Sequence, residues 1–406
     1  MVFIGLLIVM GVGIYFAVRV PPAELLPPPC KLDEWSREYT ILVLDPVEFA
    51  RGHSQGLFAP IPMRHFEDSS EISWNKSVLE ATMRGGVPHG FSHGIGGFID
   101  GRSIGAGGIY FNMQLLNEAG LQWDLPYILQ SQNNWTWETF QNAARRFSRD
   151  IGPGGMMCCP TAIASCPHDF LQRTLASNGA AFVEIDSETG LFVNATGTPE
   201  FLQSVEFAMQ LHRELLVMHN TDMYGLYNAY PLAIQTFNES DAAMLSGGAY
   251  KAANEISVID WRGFFINWGF VTFPRGLESE NHYHWVSRDI YAIPYFFTEY
   301  EVDSIMYALR MRLSAHESTD YLKYDWHTQY PEPCPIDETI ANFMRVPEFQ
   351  IFPAHNMIPG FDEFIYDNFS SRIWAYTWRG GIDAQDIIDD ALPQLIDMLD
   401  RANGYR

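Results

Sequence analysis

The residues Ile109-Tyr110-Phe111-Asn112 run into Leu115-Leu116-Asn117-Glu118-Ala119-Gly120-Leu121 and, after a gap, into Asn134-Trp135-Thr136-Trp137-Glu138-Thr139-Phe140. The first four predict a short apolar strand. The second group predicts a brief helix closed by Gly120, because a helix C-terminus favours a residue tolerant of left-handed geometry. Thr136 predicts an N-cap for a second helix. Behind it Phe140, Ala143, Ala144 and Phe147 fall at i, i+3, i+4 and i+7, one buried stripe. Strand and helix alternate, so the local class is α/β.

Working outward, 406 residues supply material for about two globular units with sizeable cores. The formal charge is −24, from 49 acidic against 25 basic residues. A field of that sign repels polyanions, which excludes nucleic acid and anionic lipid as natural partners. Aromatic residues make up 14%, with 11 Trp and 19 Tyr, enough for both cores and flat binding faces. The five cysteines, Cys30, Cys158, Cys159, Cys166 and Cys334, form no familiar framework. Cys158-Cys159 with Cys166 and His168 lack zinc-knuckle spacing, and prolines interrupt them. They read as a loop with buried or locally bridged thiols.

Val2 to Val18 is a continuous apolar run closed by Arg19 and Pro21-Pro22. It predicts a signal or membrane anchor over 1–20, followed by a proline-rich spacer over 21–39. Thr40 to Leu44 predicts a buried strand ended by Asp45-Pro46. In an open α/β sheet, ligands sit beyond the carboxyl ends of strands. Asp45 is therefore either a hydroxyl acceptor or a turn aspartate before proline. The glycine-rich span Gly85–Gly108 lacks a phosphate-loop pattern and reads as a mobile surface loop. His53, His65, His89 and His93 show no persuasive ligand spacing and read as solvated.

Taken together, the Tyr-aromatic-Asn, Leu-Leu, Ala-Gly-Leu and Thr-Trp-Glu-Thr-Phe elements resemble the family 1 extracellular solute-binding proteins of bacterial carbohydrate importers. Asp241–Tyr250, Trp268–Gly276, Ser287–Pro294 and the C-terminal helix after Asp383 carry the resemblance to the end of the chain. It implies a two-lobed periplasmic-binding-protein-like (type II) α/β fold, with lobes over 40–150 and 151–406. The family has a strand, a helix and a second strand before Ile41, where this chain offers only the apolar run and spacer. The N-terminal lobe is therefore expected to be incomplete.

The resemblance implies capture of an oligosaccharide or related polyol, without catalysis, metal or cofactor. It implies delivery to ABC permease subunits by a monomer on the extracellular face, anchored or secreted. Candidate stacking residues are Tyr110, Tyr250, Trp268 and Trp285. Candidate hydrogen-bond partners are Asp45, Asn112 and Asp289. Tyr250 stands where the family commonly has a tryptophan stacked on ligand; position alone favours a core ring after Gly247-Gly248. Two alternatives are a glycoside hydrolase and a tethered sugar receptor that signals. The hydrolase needs two opposed carboxylates, but Asp362-Glu363 and Asp389-Asp390 sit on helices whose bland reading is a solvated face.

Overall fold

Val, Ile, Tyr and Phe favour extended backbone over helix, and the N-terminal apolar run follows that preference. Phe3–Val9 (β1) pairs antiparallel with Val12–Val18 (β2), Val9 opposite Val12. Among the described residues no helix is long and apolar enough to cross a membrane, so the anchor expectation gains no support. The computed structural model describes residues 3–9, 12–18, 41–67, 74–92, 107–147, 161–186, 189–214, 216–217, 226–248, 267–277, 279–285, 289–314, 338–339, 342, 349–373 and 382–404. Tyr250, Cys30, Cys158, Cys159, Cys334 and His93 lie outside them.

Leu42–Leu44 (β3) is the expected strand, and Asp45-Pro46 starts the helix Pro46–Ser54 (α1). Arg64–Glu67 (α2) and Lys76–Ala81 (α3) follow. Met83–Arg84 (β4) and Val87–Pro88 (β5) then form a hairpin. Its two turn residues, Gly85 and Gly86, have φ of 61° and 79°. A two-residue hairpin turn needs such angles, and glycine adopts them without steric cost. The start of the glycine-rich span is therefore ordered hairpin rather than loop. The chain returns to this body through Ile290–Ala292, antiparallel to β3, and the helix Glu299–Ser314. Thr298 and Glu301 cap that helix reciprocally. Ile41, Ile61, Phe66, Trp74 and Phe91 pack against Ile293, Val302 and Met306 in one core.

The second body is built on a four-stranded sheet. Gly107–Asn112 (β6) precedes the helices Met113–Glu118 (α4), Leu125–Ser131 (α5) and Trp137–Phe147 (α6). Thr161–Ala164 (β7) leads into Pro167–Ser177 (α7). A small hairpin, Val183–Ile185 (β8) with Phe192–Asn194 (β9), precedes Pro199–Arg213 (α8) and Leu226–Asn238 (α9). Ala242–Gly248 (β10) and Trp268–Thr272 (β11) complete the sheet in the order β11-β6-β10-β7. Only β10 and β7 run parallel. Ile109, Phe111, Trp135, Phe140 and Phe147 share one core with Ile163, Phe170, Leu211, Met244 and Val271. Residues on both sides of position 150 therefore build a common interior.

Strand β11 lies at the sheet edge, and side chains take the place of a further strand. The Phe270 N–H donates to Tyr127 Oη and Thr339 Oγ1. Asn342 Nδ2 donates to the Phe270 carbonyl at 3.0 Å. Gln130 Oε1 accepts from Thr272 N, and Trp135 Nε1 donates to the Thr272 carbonyl at 2.8 Å. An open edge would be a template for pairing with another chain; here every one of these backbone groups is engaged.

A further core joins Phe182, Phe201 and Val205 to the C-terminal segments Phe361–Ile365 and Ala384–Ala402. The short helical turn Ala354–Met357 links the bodies: Ala354 packs in this core, Met357 with Leu44, Phe49 and Ile290.

Candidate functional site

The end of β3 is the most open of the predicted positions. Asp45 is exposed and caps α1: its Oδ1 accepts from Glu48 N at 2.8 Å, while Glu48 Oε2 accepts from Asp45 N at 3.4 Å. Burial, and then the Asp45 carboxylate, push the Glu48 carboxyl above its usual range. The antiparallel register that sets Ile290 opposite Leu44 carries Asp289 to the position opposite Asp45. Two aspartates predicted separately from sequence thus follow the same end of one strand pair. Their chemistry is to accept hydrogen bonds from hydroxyl groups or to attract a cation.

On the four-stranded sheet the predicted residues divide differently. Tyr110 is 0% exposed and donates its hydroxyl to the Gly248 carbonyl at 2.9 Å. Trp268 meets it edge-on at 5.6 Å between ring centroids, and Phe270 lies at 4.8 Å. Tyr110 is a core ring with no face to offer a solute. Asn112 is buried and caps α4, its Oδ1 accepting from Gln114 N and Leu115 N at 3.0 and 3.2 Å. Its Oδ1 is spent on the helix, and its Nδ2 donates to Ser240 Oγ at 3.5 Å.

Trp268 pairs with Asn112 at one end of β6, and Gly248 pairs with Gly107 at the other. The strand has 6 residues, roughly 17 Å from end to end. Trp268 and Gly248 therefore stand at opposite ends of the sheet. Trp285 is half-buried against His355 at 4.9 Å and Phe182 at 6.0 Å, in the C-terminal core.

The carboxyl ends of the parallel pair β7 and β10 bring one residue that sequence reasoning missed. A Cβ on Gly107 would lie 1.5 Å from Arg173 Nη1, so the guanidinium rests on the strand end beside Gly248. Asp169, one turn earlier on α7, lies 3.7 Å from Arg173 Nη2. The absent side chain of Gly107 is what admits the guanidinium; only the i, i+4 acid–base spacing hinted at it.

Nucleophilic chemistry finds little support. Cys166 precedes α7 as a buried free thiol, and burial pushes its pKa up to about 11. Two of the hydrolase acids are engaged on the surface: Asp390 pairs with Arg372 at 2.5 Å, and Asp389 accepts from Gln385 at 2.8 Å. Among the described residues no group of three or more His, Cys, Asp or Glu is placed to hold a metal. Two pockets of about 350 Å³ lie away from the predicted residues. One separates β9 from the C-terminal helix, and the other separates α5 from Glu338 and Asn342.

No protein-family model and no curated protein matches the chain. Solved structures do. The maltose-binding periplasmic protein MalE from Listeria monocytogenes, in complex with maltose, superposes with a TM-score of 0.57 at 13% identity, over 91% of this chain and 86% of that one. The cyclic α-maltosyl-1,6-maltose binding protein from Arthrobacter globiformis gives 0.58 at 15%, over 90% and 86%. UgpB from Mycobacterium tuberculosis, in complex with glycerophosphocholine, gives 0.51 at 14%, over 89% and 84%. The chain has the two-lobed α/β fold of the periplasmic binding proteins, type II.

Proposed function

We propose that this chain is an extracellular solute-binding protein of the family 1 type, which captures a carbohydrate between its lobes without transforming it. The observation that carries the reading is a shared fold over about nine-tenths of the chain with two proteins that bind maltose-based sugars. Delivery to an ABC permease follows from the sequence resemblance. The division of the cores supports one lobe of residues 41–91 with 290–313. The other lobe is built on the four-stranded sheet and C-terminal helices.

Asp45 and Asp289 are the ligand-facing groups of the first lobe; Arg173 is that of the second. Carboxylates and a guanidinium hydrogen-bond well to vicinal hydroxyls, and hinged closure would bring the two sets onto one solute. Tyr110 and Asn112 serve the lobe's interior.

The test is thermal unfolding of the purified chain with maltose, maltotriose, the cyclic maltosyl-maltose and glycerophosphocholine. A ligand at 100-fold its Kd adds about 2.7 kcal/mol, a rise of several degrees in midpoint. A rise with a sugar, and unchanged sugar recovered afterwards, is the expected result. No rise with any sugar, or cleavage of the oligosaccharides, would overturn it; a rise with glycerophosphocholine alone would replace the carbohydrate.

A further inference from the structure

The helix α5 begins unlike five others in the molecule. Asp45, Asn75, Asn112, Thr198 and Asp383 each accept a hydrogen bond from the first turn of the helix they precede. Asp124 stands at the same position before α5, yet its side chain makes no such bond. It lines instead the pocket of about 350 Å³ between α5 and Glu338, a volume that suits a small solute. Trp123, 43% exposed, and Ile128 supply the apolar part of the lining. Tyr127, Gln130 and Asn342 line it too, but their polar groups are already bonded to the edge of β11.

Charge identifies the solute. The lining holds two carboxylates, Asp124 and Glu338, and no Lys, Arg or His. Among the described residues neither carboxylate has an ion-pair partner. We propose that this pocket is a second binding site, which takes a small organic cation of the primary-amine class with an apolar body. The ammonium group donates to Asp124 and Glu338, and the face of the Trp123 indole attracts the same charge. Ile128 and the indole cover the hydrocarbon. A neutral sugar would find acceptors here but no basic side chain beside them, whereas the proposed sugar groups set Arg173 with Asp45 and Asp289.

The site has a consequence for the lobe that carries it. Tyr127 and Gln130 on one side, with Thr339 and Asn342 on the other, are the residues that seal β11. A cation held by Asp124 and Glu338 together ties those two segments to each other and so strengthens the seal. Burial raises the Tyr127 hydroxyl above its ordinary range, and the Glu338 charge adds to that rise, so the phenol stays neutral beside the bound charge. Glu338 is exposed and Asp124 half-buried. Salt therefore screens the attraction without abolishing it, and the affinity is modest.

The experiment uses the full chain labelled with fluorotryptophan and read by fluorine NMR, the Trp123 signal being assigned by its loss in Trp123→Phe. Phenethylamine is titrated beside phenylethanol, which has the same body without the charge, phenylacetate, which has the opposite charge, and maltose. The amine is expected to move the Trp123 signal saturably, the alcohol to bind at least fivefold more weakly, and the acid and the sugar to leave the signal in place. Asp124→Asn and Glu338→Gln each weaken the amine at least threefold, and molar salt weakens it severalfold. Asparagine suits an N-cap as well as aspartate does, and Glu338 is exposed, so both variants keep the parent's unfolding midpoint. A Trp123 signal unmoved by the amine would overturn the proposal. So would an equal response to phenylethanol, which would make the pocket merely apolar, or a response to maltose alone, which would make it a sugar subsite. The amine titration contains no sugar, so its outcome is independent of the carbohydrate reading.

Discussion

Asp45 follows β3 and Asn112 ends β6, and each residue accepts from backbone N–H groups of the helix that follows. The local device is the same in both lobes, because a strand that turns directly into a helix must satisfy the first orphan donors. The surroundings differ. Asn112 is 2% exposed and lies beside an edge strand sealed by side chains, whereas Asp45 is exposed, just past the pair that sets Leu44 against Ile290. One turn is finished within the protein; the other leaves carboxylate capacity facing outward. The difference teaches where a solute can be held: a cap becomes a binding group only where nothing else in the fold has claimed its remaining lone pairs.

The sharpest way to break the comparison is to open the sealed edge. Trp135 is 0% exposed, meets Phe140 edge-on at 5.7 Å and bonds the Thr272 carbonyl. Trp135→Ala should cost about 3–5 kcal/mol by urea unfolding, through lost packing and an unsatisfied edge carbonyl. Trp135→Phe keeps most of the packing and should cost about 1–3 kcal/mol, the price of leaving that carbonyl unpaired. A loss below 1 kcal/mol for Trp135→Ala would show that the edge is not sealed by this ring.

The next effect lies at the junction of the lobes. His355 sits among Phe182, Trp285 and Phe361, neither ring nitrogen has a hydrogen-bond partner, and burial lowers it to about 3. The unfolded chain, with histidine near 6.5, binds this proton more readily than the folded one. Stability is therefore lost as pH falls below ~6.5, by ~2 kcal/mol at pH 5. His355→Phe should flatten the profile between pH 7 and 5 by that amount, leaving the contribution of His53, which burial lowers to about 4. An unchanged profile would remove His355 as the acid-labile point of the junction.

How much of this was legible in sequence follows from range. Thr136 with Phe140, Ala143, Ala144 and Phe147, Thr198 with Pro199, and Asp383 with Ile387, Ile388, Ala391, Leu395 and Leu399 were all readable. Caps and periodicity are written within a few residues of the elements they make. Gly120 likewise takes φ of +73° where the helix ends. Ile396 shows the limit: an apolar residue of that last helix, it is 46% exposed at the rim of a pocket.

The candidate site depended on pairings that sequence does not state. Register sets Asp289 against Asp45, and sheet order puts Trp268 and Gly248 at opposite ends. Tyr110 looked like a stacking ring because its neighbours were unknown; Trp268, Phe270 and the Gly248 carbonyl occupy every face it has. Arg173 was invisible because its place depends on a missing side chain at Gly107, far away in the chain.

The smallest effects discriminate best between the two caps. Asparagine and aspartate are nearly equal at an N-cap, so Asp45→Asn should keep stability within about 0.5 kcal/mol while removing the charge. Asp45→Ala removes the cap and should cost about 1 kcal/mol. Asn112→Ala also loses contacts in a closed interior and should cost about 2 kcal/mol. If the open turn is a binding group, Asp45→Asn reduces the sugar-induced rise in midpoint although the free protein is as stable as before. Asn112→Ala lowers the free midpoint and leaves the rise unchanged. Equal losses of the rise in both would mean that exposure does not separate the two turns, and that the solute is held by something other than the strand end Asp45 shares with Asp289.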